Sequence, residues 1–380
     1  MIIINSPRKI TETSKRKERM ATMKEKLKGT ILKKTLPLDV RLGLTKAEDV
    51  KNPLRWGILG AGEISRQWVH AVRACEGATV SAVAARDTNR AKQFAEKNHI
   101  KSSFGDYAEM VQSPDVDIVF VGTIPEVQKE HVILAAKAGK HVLCEKPFSQ
   151  NPQEAREMYR VAAEENVMAQ HGMWTRFFPA VEHARLAIEN GIIGDVLMVQ
   201  ADFSAEYTIQ AALIAFGSGA PQSMTVTGTS IVLEYDEDRS AILSSPPYPS
   251  EFPEVVEFIG SSGRITLEQP AHCPTVITIR VPNKTPSRYM NANTPAPVSR
   301  YEYPIPDRVS IPMAFPNQQG FIYEAEAVHR CLAAGLLECP QFTKTESLRL
   351  IDLVAEVQKN PKRQTYLKNL RAKYMSKSPT

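Results

Sequence analysis

Short apolar runs alternate with a glycine turn and an amphipathic segment across residues 54–90. The runs Leu54–Leu59 and Val80–Ala85 are apolar enough to predict buried strands. The segment Glu63–Cys75 between them predicts a helix. Its apolar residues fall on one helical face: Ile64, Trp68, Ala71 and Val72. The order of strand, turn, helix and strand is typical of a βαβ unit.

The glycine turn after the first run has the features of a phosphate-binding loop. Gly60 permits a tight turn, and Gly62 lets the backbone approach a pyrophosphate closely. The following helix N-terminus would offer unpaired N–H groups and a partial positive charge to the phosphates. Ser65 stands where the usual fingerprint has a third glycine, and it is small enough for close helix–strand packing. The sequence therefore predicts a dinucleotide site; the alternative is a βα turn that binds no phosphate.

The residues after the second run indicate which dinucleotide is bound. An acidic residue at this strand end would accept hydrogen bonds from a ribose 2′-hydroxyl, but the strand ends in Ala84-Ala85-Arg86. Arg86 can stack on adenine and hold a 2′-phosphate, and Arg90 lies four residues on. We therefore expect NADP(H) as the cofactor. The alternative is a pair of solvated surface arginines.

Two further apolar runs, Ile118–Gly122 and His141–Cys144, predict strands with carboxyl ends at the same crevice. Thr123 follows the first run, and Glu145-Lys146-Pro147 follows the second. A partly desolvated lysine beside a cationic nicotinamide is biased towards the neutral amine, so Lys146 could exchange a proton with a substrate oxygen. The alternative is a structural lysine paired with Glu145.

The remaining periodicity predicts several elements of a second region. Glu254–Ile259 and Arg264–Leu267 predict a hairpin, and the Pro- and Asn-rich stretch Asn283–Asp307 predicts a surface excursion. Tyr366–Thr380 is basic and is expected to fray. Helices are expected from the cap residue Asn151, and over Val127–Ala138, Gln319–Ala334 and Thr345–Lys359.

Composition places the chain among ordinary globular proteins. Its 380 residues are 43% hydrophobic and 23% charged, which allows two domains with large cores. No apolar run is long enough to span a membrane. The net charge of +5 is concentrated in residues 1–52, expected to form a flexible basic extension. The remainder is slightly acidic, which argues against a nucleic-acid partner.

The cysteines and histidines carry little further chemistry. The five cysteines form no C-x-x-C pair, and their odd number suits a reducing compartment, so we expect a cytoplasmic protein. No histidine spacing matches a metal motif, so we expect no metal site.

Four stretches, in this order and spacing, resemble the Gfo/Idh/MocA oxidoreductases: GILGAGEIS, AVAARD, VGT and LCEKPFSQN. Within that family, the run MWTRFFPA at Met173–Ala180 is most similar to the dimeric dihydrodiol dehydrogenases, also described as NADP-dependent D-xylose 1-dehydrogenases. The resemblance implies an α/β fold: an N-terminal Rossmann domain at residues 53–172 and a C-terminal α/β domain at 173–380. The second domain would hold a large, mostly antiparallel, open-faced sheet, through whose outer face a homodimer forms.

The resemblance also implies roles for individual residues. Lys146 matches the catalytic-site lysine of the family. Trp174, Arg176 and Phe315 fall where these proteins line the mouth of the substrate cleft. The positions implied for binding the cofactor are Gly60, Gly62, Glu63, Ile64, Arg86, Arg90, Thr123, Glu145 and Lys146.

The sequence departs from the family pattern in two places. Gln128 stands near a position where the loop after Thr123 usually carries a histidine. After Phe203 a few dozen residues with a D-x-G-x-Y helix start are missing, so the C-terminal domain is expected to be shortened there. Tyr207 is either the tyrosine of that motif, and then a second catalytic group, or the end of a strand. A shorter gap is expected near Thr227–Ile231.

The resemblance therefore implies an NADP-dependent oxidoreductase. It would transfer hydride between NADP and a CH–OH carbon of a small-molecule diol or sugar, a trans-dihydrodiol or D-xylose. The alternative is a catalytically impaired splice form or a non-catalytic NADP-binding protein.

Overall fold

The first part of the chain builds a six-stranded parallel sheet of the expected type. The computed structural model describes residues 53–75, 77–246, 251, 253–282, 296–307 and 312–375. The predicted basic extension, residues 1–52, lies outside them. The strands of this sheet are β1 (Leu54–Leu59), β2 (Ala78–Ala84), β3 (Ser102–Phe104), β4 (Ile118–Val121), β5 (His141–Glu145) and β6 (Ala169–Gly172). They lie in the order β3-β2-β1-β4-β5-β6, so the order reverses between β1 and β4, where such folds bind ligands.

Helices connect these strands and cover both faces of the sheet. They are α1 (Glu63–Arg73), α2 (Thr88–Lys97), α3 (Tyr107–Val111), α4 (Pro125–Lys137) and α5 (Pro152–Glu164). Three of the four apolar residues predicted on one face of α1 are fully buried, and only Ile64 is half-exposed. The predicted cap of α5 is confirmed, since the Asn151 side chain accepts a hydrogen bond from the Glu154 amide at 3.0 Å.

The second sheet has eight strands in the described part of the chain. They are β7 (Val196–Asp202), β8 (Ser223–Val226), β9 (Ser230–Glu234), β10 (Ser240–Ser244), β11 (Val256–Gly260), β12 (Arg264–Leu267), β13 (Val276–Arg280) and β14 (Val298–Glu302). Their order is β14-β13-β12-β11-β7-β10-β9-β8. Only β7 and β10 run parallel to each other among these neighbours. The expected fold class, a Rossmann sheet with a mostly antiparallel second sheet, is confirmed.

One face of the second sheet is covered by α6 (Pro179–Glu189) and α7 (Ala205–Phe216). Three more helices follow: α8 (Phe321–Ala333), α9 (Lys344–Lys359) and α10 (Pro361–Met375). Helix α8 packs on α1. The Trp56 indole of β1 donates to His329 Nε2 of α8 at 2.9 Å, and the Trp68 ring of α1 stacks on Phe120 of β4 with centroids 4.6 Å apart. Both sheets belong to one compact unit.

Two predicted segments differ from the structure. Of the stretch predicted as a surface excursion, residues 283–295 lie outside the described residues, and the described part contains β14, an edge strand whose residues are mostly exposed, so its composition is polar like that of a loop. The C-terminal segment predicted to fray is helical as far as Met375, beginning with Pro361 at a favourable first position. The predicted helix over 345–359 is confirmed with its start one residue earlier.

The chain is short at the two points where residues were expected to be missing. Strand β7 ends at Asp202 and α7 begins at Ala205, so two residues make the connection. Strands β8 and β9 form a tight hairpin, in which the Thr227 amide donates to the Ser230 carbonyl at 2.9 Å. The alternative that Tyr207 ends a strand is wrong, because Tyr207 lies in the first turn of α7.

Candidate active site

The glycine turn between β1 and α1 leaves room for a close ligand. Gly60 has φ = +100°, and a Cβ atom there would lie 2.9 Å from the side chain of Thr123. At Gly62 a Cβ atom would meet nothing within 4 Å, so the backbone there borders open space. Gly62 is also the N-cap of α1, and no side chain caps that helix. The loop thus fits a pyrophosphate approaching the free amides of the helix.

Close packing behind this loop explains the serine in place of the third glycine. The Ser65 side chain is fully buried against Gly122 at the end of β4. A Cβ atom on Gly122 would lie only 2.3 Å from Ser65 Oγ. A larger residue at either position would force the helix away from the sheet.

The arginines expected to choose the cofactor lie beside the same loop. The Arg90 guanidinium donates to the Ala61 carbonyl, from Nε at 3.3 Å and from an Nη atom at 3.1 Å. Its backbone amide donates to the Asp87 side chain at 2.7 Å, which caps α2. Arg86 is exposed at the carboxyl end of β2. This arrangement can place two positive charges where an adenosine 2′-phosphate would lie. Glu63, also expected at the cofactor, is exposed and pairs with Arg66 at 2.5 Å.

Gln128 joins the two loops that follow β4 and β5. Its side-chain amide donates to the carbonyl oxygens of Glu145 at 3.0 Å and Thr123 at 3.3 Å. The Thr123 hydroxyl lies 2.9 Å from His131 Nδ1. Gln128, which stands near the position of the histidine in the family pattern, is buried, and it fixes the two loops relative to each other at the crevice.

Lys146 lies at the carboxyl end of β5, half-buried, beside a buried carboxyl group. The hydrogen bond between Lys146 and Glu145 is made by the lysine backbone amide, at 2.9 Å from Glu145 Oε2. Burial raises the pKa of the Glu145 carboxyl to about 7, an effect that the positive charge and backbone amide of Lys146 oppose. The lysine charge also acts on Glu206, His171 and His272. These groups form one electrostatic cluster around the Lys146 side chain.

Tyr207, in the first turn of α7, lies in an aromatic cluster. Its hydroxyl oxygen accepts a hydrogen bond from the Trp174 indole at 2.8 Å. The His272 ring stacks on Phe203 with centroids 4.7 Å apart, and the Tyr207 and His272 centroids are 5.7 Å apart. Burial raises the pKa of the Tyr207 phenol well above its usual value, so this residue stays protonated and can donate its hydrogen.

Several polar residues of this cluster were missed by the sequence analysis. His272 Nδ1 lies 2.7 Å from Glu254 Oε2, and the buried Cys273 Sγ lies 3.3 Å from His272 Nε2. His171 and Glu206 approach each other near Lys146. Local sequence offered one signal, the first-turn position of Glu206 beside Tyr207. The contacts of His171 with Glu206 and of His272 with Glu254 join residues from different elements, so local sequence gave no signal for them.

Arg176 is a correction. It was expected at the mouth of the substrate cleft, but its side chain is 1% exposed. It forms an ion pair with Glu346 and donates to the carbonyl oxygens of Gln341 at 3.0 Å and Gln210 at 3.2 Å. Two backbone carbonyl groups and the Glu346 carboxylate of α9 thus accept the hydrogen bonds of the Arg176 guanidinium. Arg176 therefore links separate elements in the interior of the protein. Trp174 is also buried, whereas Phe315 is 61% exposed.

Two further features bear on the kind of site. Within the described ranges, no group of three or more His, Cys, Asp or Glu side chains could hold a metal ion. No helix among those same residues is long and apolar enough to cross a bilayer.

Known proteins similar to this chain point to one family. A family model described as an oxidoreductase family with an NAD-binding Rossmann fold, GFO_IDH_MocA, matches residues 54–173. The trans-1,2-dihydrobenzene-1,2-diol dehydrogenases of Sus scrofa and Homo sapiens are 31% and 30% identical to this chain. Each match covers 80% of this chain and 96% of the relative. The match to the Sus scrofa protein runs over 339 residues, whereas 80% of the 380 residues of this chain is about 304. The relative is therefore longer than this chain within the matched region.

Solved structures agree at the level of the fold. A 3-ketoreductase from Actinomadura kijaniata, in complex with TDP-benzene and NADP, has a TM-score of 0.62 at 22% identity. The match covers 81% of this chain and 98% of the ketoreductase. An oxidoreductase from Agrobacterium radiobacter, in complex with NAD⁺, L-tartaric acid and magnesium, has a TM-score of 0.69 at 17% identity, covering 82% and 97%. Because the dehydrogenase relatives match over nearly their whole length, the chain belongs to the Gfo/Idh/MocA family of oxidoreductases with an NAD(P)-binding Rossmann fold.

Proposed function

We propose that the chain is an NADP(H)-dependent oxidoreductase acting on a CH–OH carbon of a trans-dihydrodiol or a D-xylose-like sugar. The observation that carries the proposal is the position of Lys146. It lies at the carboxyl end of β5, next to the strand that borders the glycine loop, and among ionisable groups. Bound NADP would supply the acceptor or donor of the hydride.

The chain's own residues would handle the proton and orient the substrate. Lys146 exchanges a proton with the reacting hydroxyl. Tyr207, protonated and fixed by Trp174, donates its hydroxyl hydrogen to the same oxygen. Phe315 is exposed near the turn that holds Cys273, and it lines the mouth of the cleft. Burial of the aromatic cluster limits the access of water to the reacting atoms.

The preference for NADP over NAD is supported by charge. The Arg90 guanidinium lies on the glycine loop, and Arg86 is exposed at the end of β2, where an NAD site has an acidic residue. Thr123 and Glu145 line the crevice next to that loop. The ketoreductase named above was crystallised with NADP, and the Agrobacterium enzyme with NAD⁺, so these structures do not distinguish the two cofactors. The proposed preference for NADP therefore rests on Arg86 and Arg90 of this chain.

The substrate class rests on the relatives. Those with the higher identity are named trans-1,2-dihydrobenzene-1,2-diol dehydrogenases. D-xylose is retained as the second candidate from the family resemblance. Both are small molecules with neighbouring hydroxyl groups. We also propose a cytoplasmic location, with which the five buried cysteines, none of them in a disulfide, are consistent.

A non-catalytic NADP-binding protein, or an impaired splice form, is the second candidate. The specific observation is the two-residue connection between β7 and α7, at the point where the family resemblance implies a longer stretch of chain. A connection this short leaves few residues to cover the substrate side of the crevice, so the preorganisation of Lys146 would suffer.

The experiment combines binding and turnover. NADPH and NADH affinities are measured by fluorescence, and NADP⁺ reduction is followed with trans-1,2-dihydrobenzene-1,2-diol and with D-xylose. We expect tighter binding of NADPH, turnover of at least one substrate, and loss of turnover in Lys146→Met. Lys137→Met, an exposed lysine of α4, is the matched control. Tight NADPH binding without turnover would exclude the enzyme and leave the second candidate.

A further inference from the structure

A negative charge lies next to the turn that is expected to hold phosphate. Glu63 is the first residue of α1, directly after Gly62, and its side chain is 60% exposed. The amides of this first turn are the donors that would bind a pyrophosphate. The hydrogen bond from Arg66 lowers the pKa of the Glu63 carboxyl, so the group is ionised at neutral pH. A carboxylate free to move here would be attracted to the helix N-terminus and would repel the phosphates.

Two side chains one turn further along α1 hold this carboxylate. The Arg66 guanidinium donates from Nε to Glu63 Oε2 at 2.9 Å and from an Nη atom to Glu63 Oε1 at 2.5 Å. The Gln67 side-chain amide donates to Glu63 Oε1 at 2.6 Å. Residues three and four positions apart share one face of a helix. Both donors therefore draw the carboxylate along the side of α1, away from the N-terminus.

The burial of Gln67 makes its contact the more rigid of the two. Gln67 is 1% exposed, whereas the Arg66 side chain is partly exposed to solvent. A side chain enclosed by close packing has few other positions to adopt. Gln67 Oε1 is buried without a hydrogen-bond partner among the described residues, which is costly for a buried amide. The charge-assisted bond from the Gln67 amide to Glu63 gives a reason for a glutamine at this position.

A purely structural role for these contacts makes a different prediction. Exposed ion pairs three positions apart occur on many helices and contribute little to stability. That role requires neither the buried amide of Gln67 nor the place of Glu63 at the glycine turn. It predicts that loss of the contacts leaves the affinity for a dinucleotide unaltered. A third interpretation is a direct contact of Arg66 with phosphate, which predicts a loss that persists after Glu63 is neutralised.

We propose that Arg66 and Gln67 hold the Glu63 carboxylate away from the first amides of α1 and so keep the pyrophosphate site free. Both are positioning residues, because they act through Glu63. NADPH and NADH share the pyrophosphate, so the effect is the same for the two dinucleotides. The inference rests on the dinucleotide-binding part of the proposed function and not on catalysis.

The test releases the carboxylate without changing the charge of the chain. Dissociation constants of NADPH and NADH are measured by fluorescence for the natural chain, Gln67→Leu, Glu63→Gln and the double variant. We expect Gln67→Leu to weaken both dinucleotides about three- to tenfold, as for a unit charge brought to about 5 Å from a phosphate in a solvated site. In the Glu63→Gln background, Gln67→Leu should change either affinity by less than about twofold, because no carboxylate remains to be released.

A matched control comes from a second buried glutamine. Gln210 of α7 is 3% exposed, and its Oε1 likewise has no partner among the described residues. Gln210→Leu should bind both dinucleotides as the natural chain does. Thermal unfolding midpoints check that each variant is folded. Arg66→Ala is measured alone and with Glu63→Gln, and we expect Glu63→Gln to restore the affinity that Arg66→Ala loses.

The outcomes separate this inference from the proposed function. Unaltered affinity in Gln67→Leu, or an equal loss with and without Glu63→Gln, would overturn the inference while the proposed function stands. A loss in Arg66→Ala that persists in its double variant would overturn it in favour of a direct phosphate contact. The expected pattern in a chain without turnover would support the inference and refute the enzyme. A natural chain that binds neither dinucleotide would overturn both.

Discussion

At the scale of single residues, Arg90 carries the most direct test of the cofactor. Its guanidinium is exposed and already lies on the carbonyl of the glycine loop. In Arg90→Ala we expect NADPH affinity to fall about 10- to 100-fold, since a charge-assisted contact to phosphate is worth about 1.5–3 kcal/mol. NADH affinity should change by less than about twofold. Fluorescence titration measures both, and Arg160→Ala, an exposed arginine of α5, is the control. An equal loss for the two dinucleotides would contradict the 2′-phosphate assignment.

Glu145 predicts a dependence of stability on pH. Its folded-state pKa of about 7 is raised from 4.5, so the folded protein holds this proton more tightly than the unfolded chain. The free energy of unfolding therefore loses a contribution as pH rises from about 4.5 to 7, by at most about 3 kcal/mol. Glu145→Gln removes this titration. Urea unfolding should show the variant gaining stability relative to the natural chain between pH 5 and pH 8, and parallel pH profiles would contradict the prediction.

At the scale of elements, α9 has a capping box at its N-terminus and an apolar face that lines a cavity beside the loop after β5. Thr343 and Glu346 form a complete capping box at its N-terminus, and Glu346 also pairs with the buried Arg176. The helix then carries its apolar face past the loop after Lys146. Glu346 thus caps its own helix and also pairs with Arg176, which fixes the start of α9 to the core.

Removal of the cap should weaken this element measurably. In Thr343→Ala we expect the free energy of unfolding to fall by about 1 kcal/mol, because the amide of Glu346 loses its acceptor. Glu356→Ala, an exposed change later in α9, should stay within about 0.5 kcal/mol. Urea denaturation compares the two. A loss no larger than that of Glu356→Ala would show that the cap contributes little here.

At the scale of the whole molecule, the second sheet presents a broad outer face. Its inner face is covered by α6 and α7, while Ile242 on β10 is 45% exposed and pairs with Val232 on β9. Gln200 and Glu257 continue the same row of outward residues on β7 and β11. We propose that a homodimer forms through this face, as the family resemblance implies. An apolar pair bordered by polar residues on an open sheet face is a suitable surface for such an interface.

A charge on that face should separate the subunits. For Ile242→Asp we expect sedimentation velocity to show monomer at concentrations where the natural chain is a dimer, because the aspartate would be buried without a partner. Leu336→Asp, at an exposed apolar residue after α8, should leave the dimer intact. A natural chain that is monomeric at all concentrations would refute the dimer, and an unaffected Ile242→Asp dimer would place the interface elsewhere.

Local chemistry was sufficient for much of this fold. Strand β1, the glycine turn, the Asn151 cap and helix α9 were predictable because apolar periodicity and capping act over a few residues. The position of Lys146 at a strand end followed from the same reasoning. The family membership likewise rested on short motifs whose order and spacing can be read directly.

Only tertiary packing decided what several charged residues do. The family resemblance predicts Arg176, beside an aromatic run, to be a site residue. Its burial depends on Gln341 and Glu346, which are more than 160 positions away along the chain. His171 of β6 comes within 3.8 Å of Glu206 of α7, and His272 reaches Tyr207 from the loop between β12 and β13. Periodicity reports which face of an element is apolar, but not which distant polar group lies opposite. The crevice and its glycine loop can therefore be predicted from the sequence. The residues around Lys146 are known only from the tertiary structure.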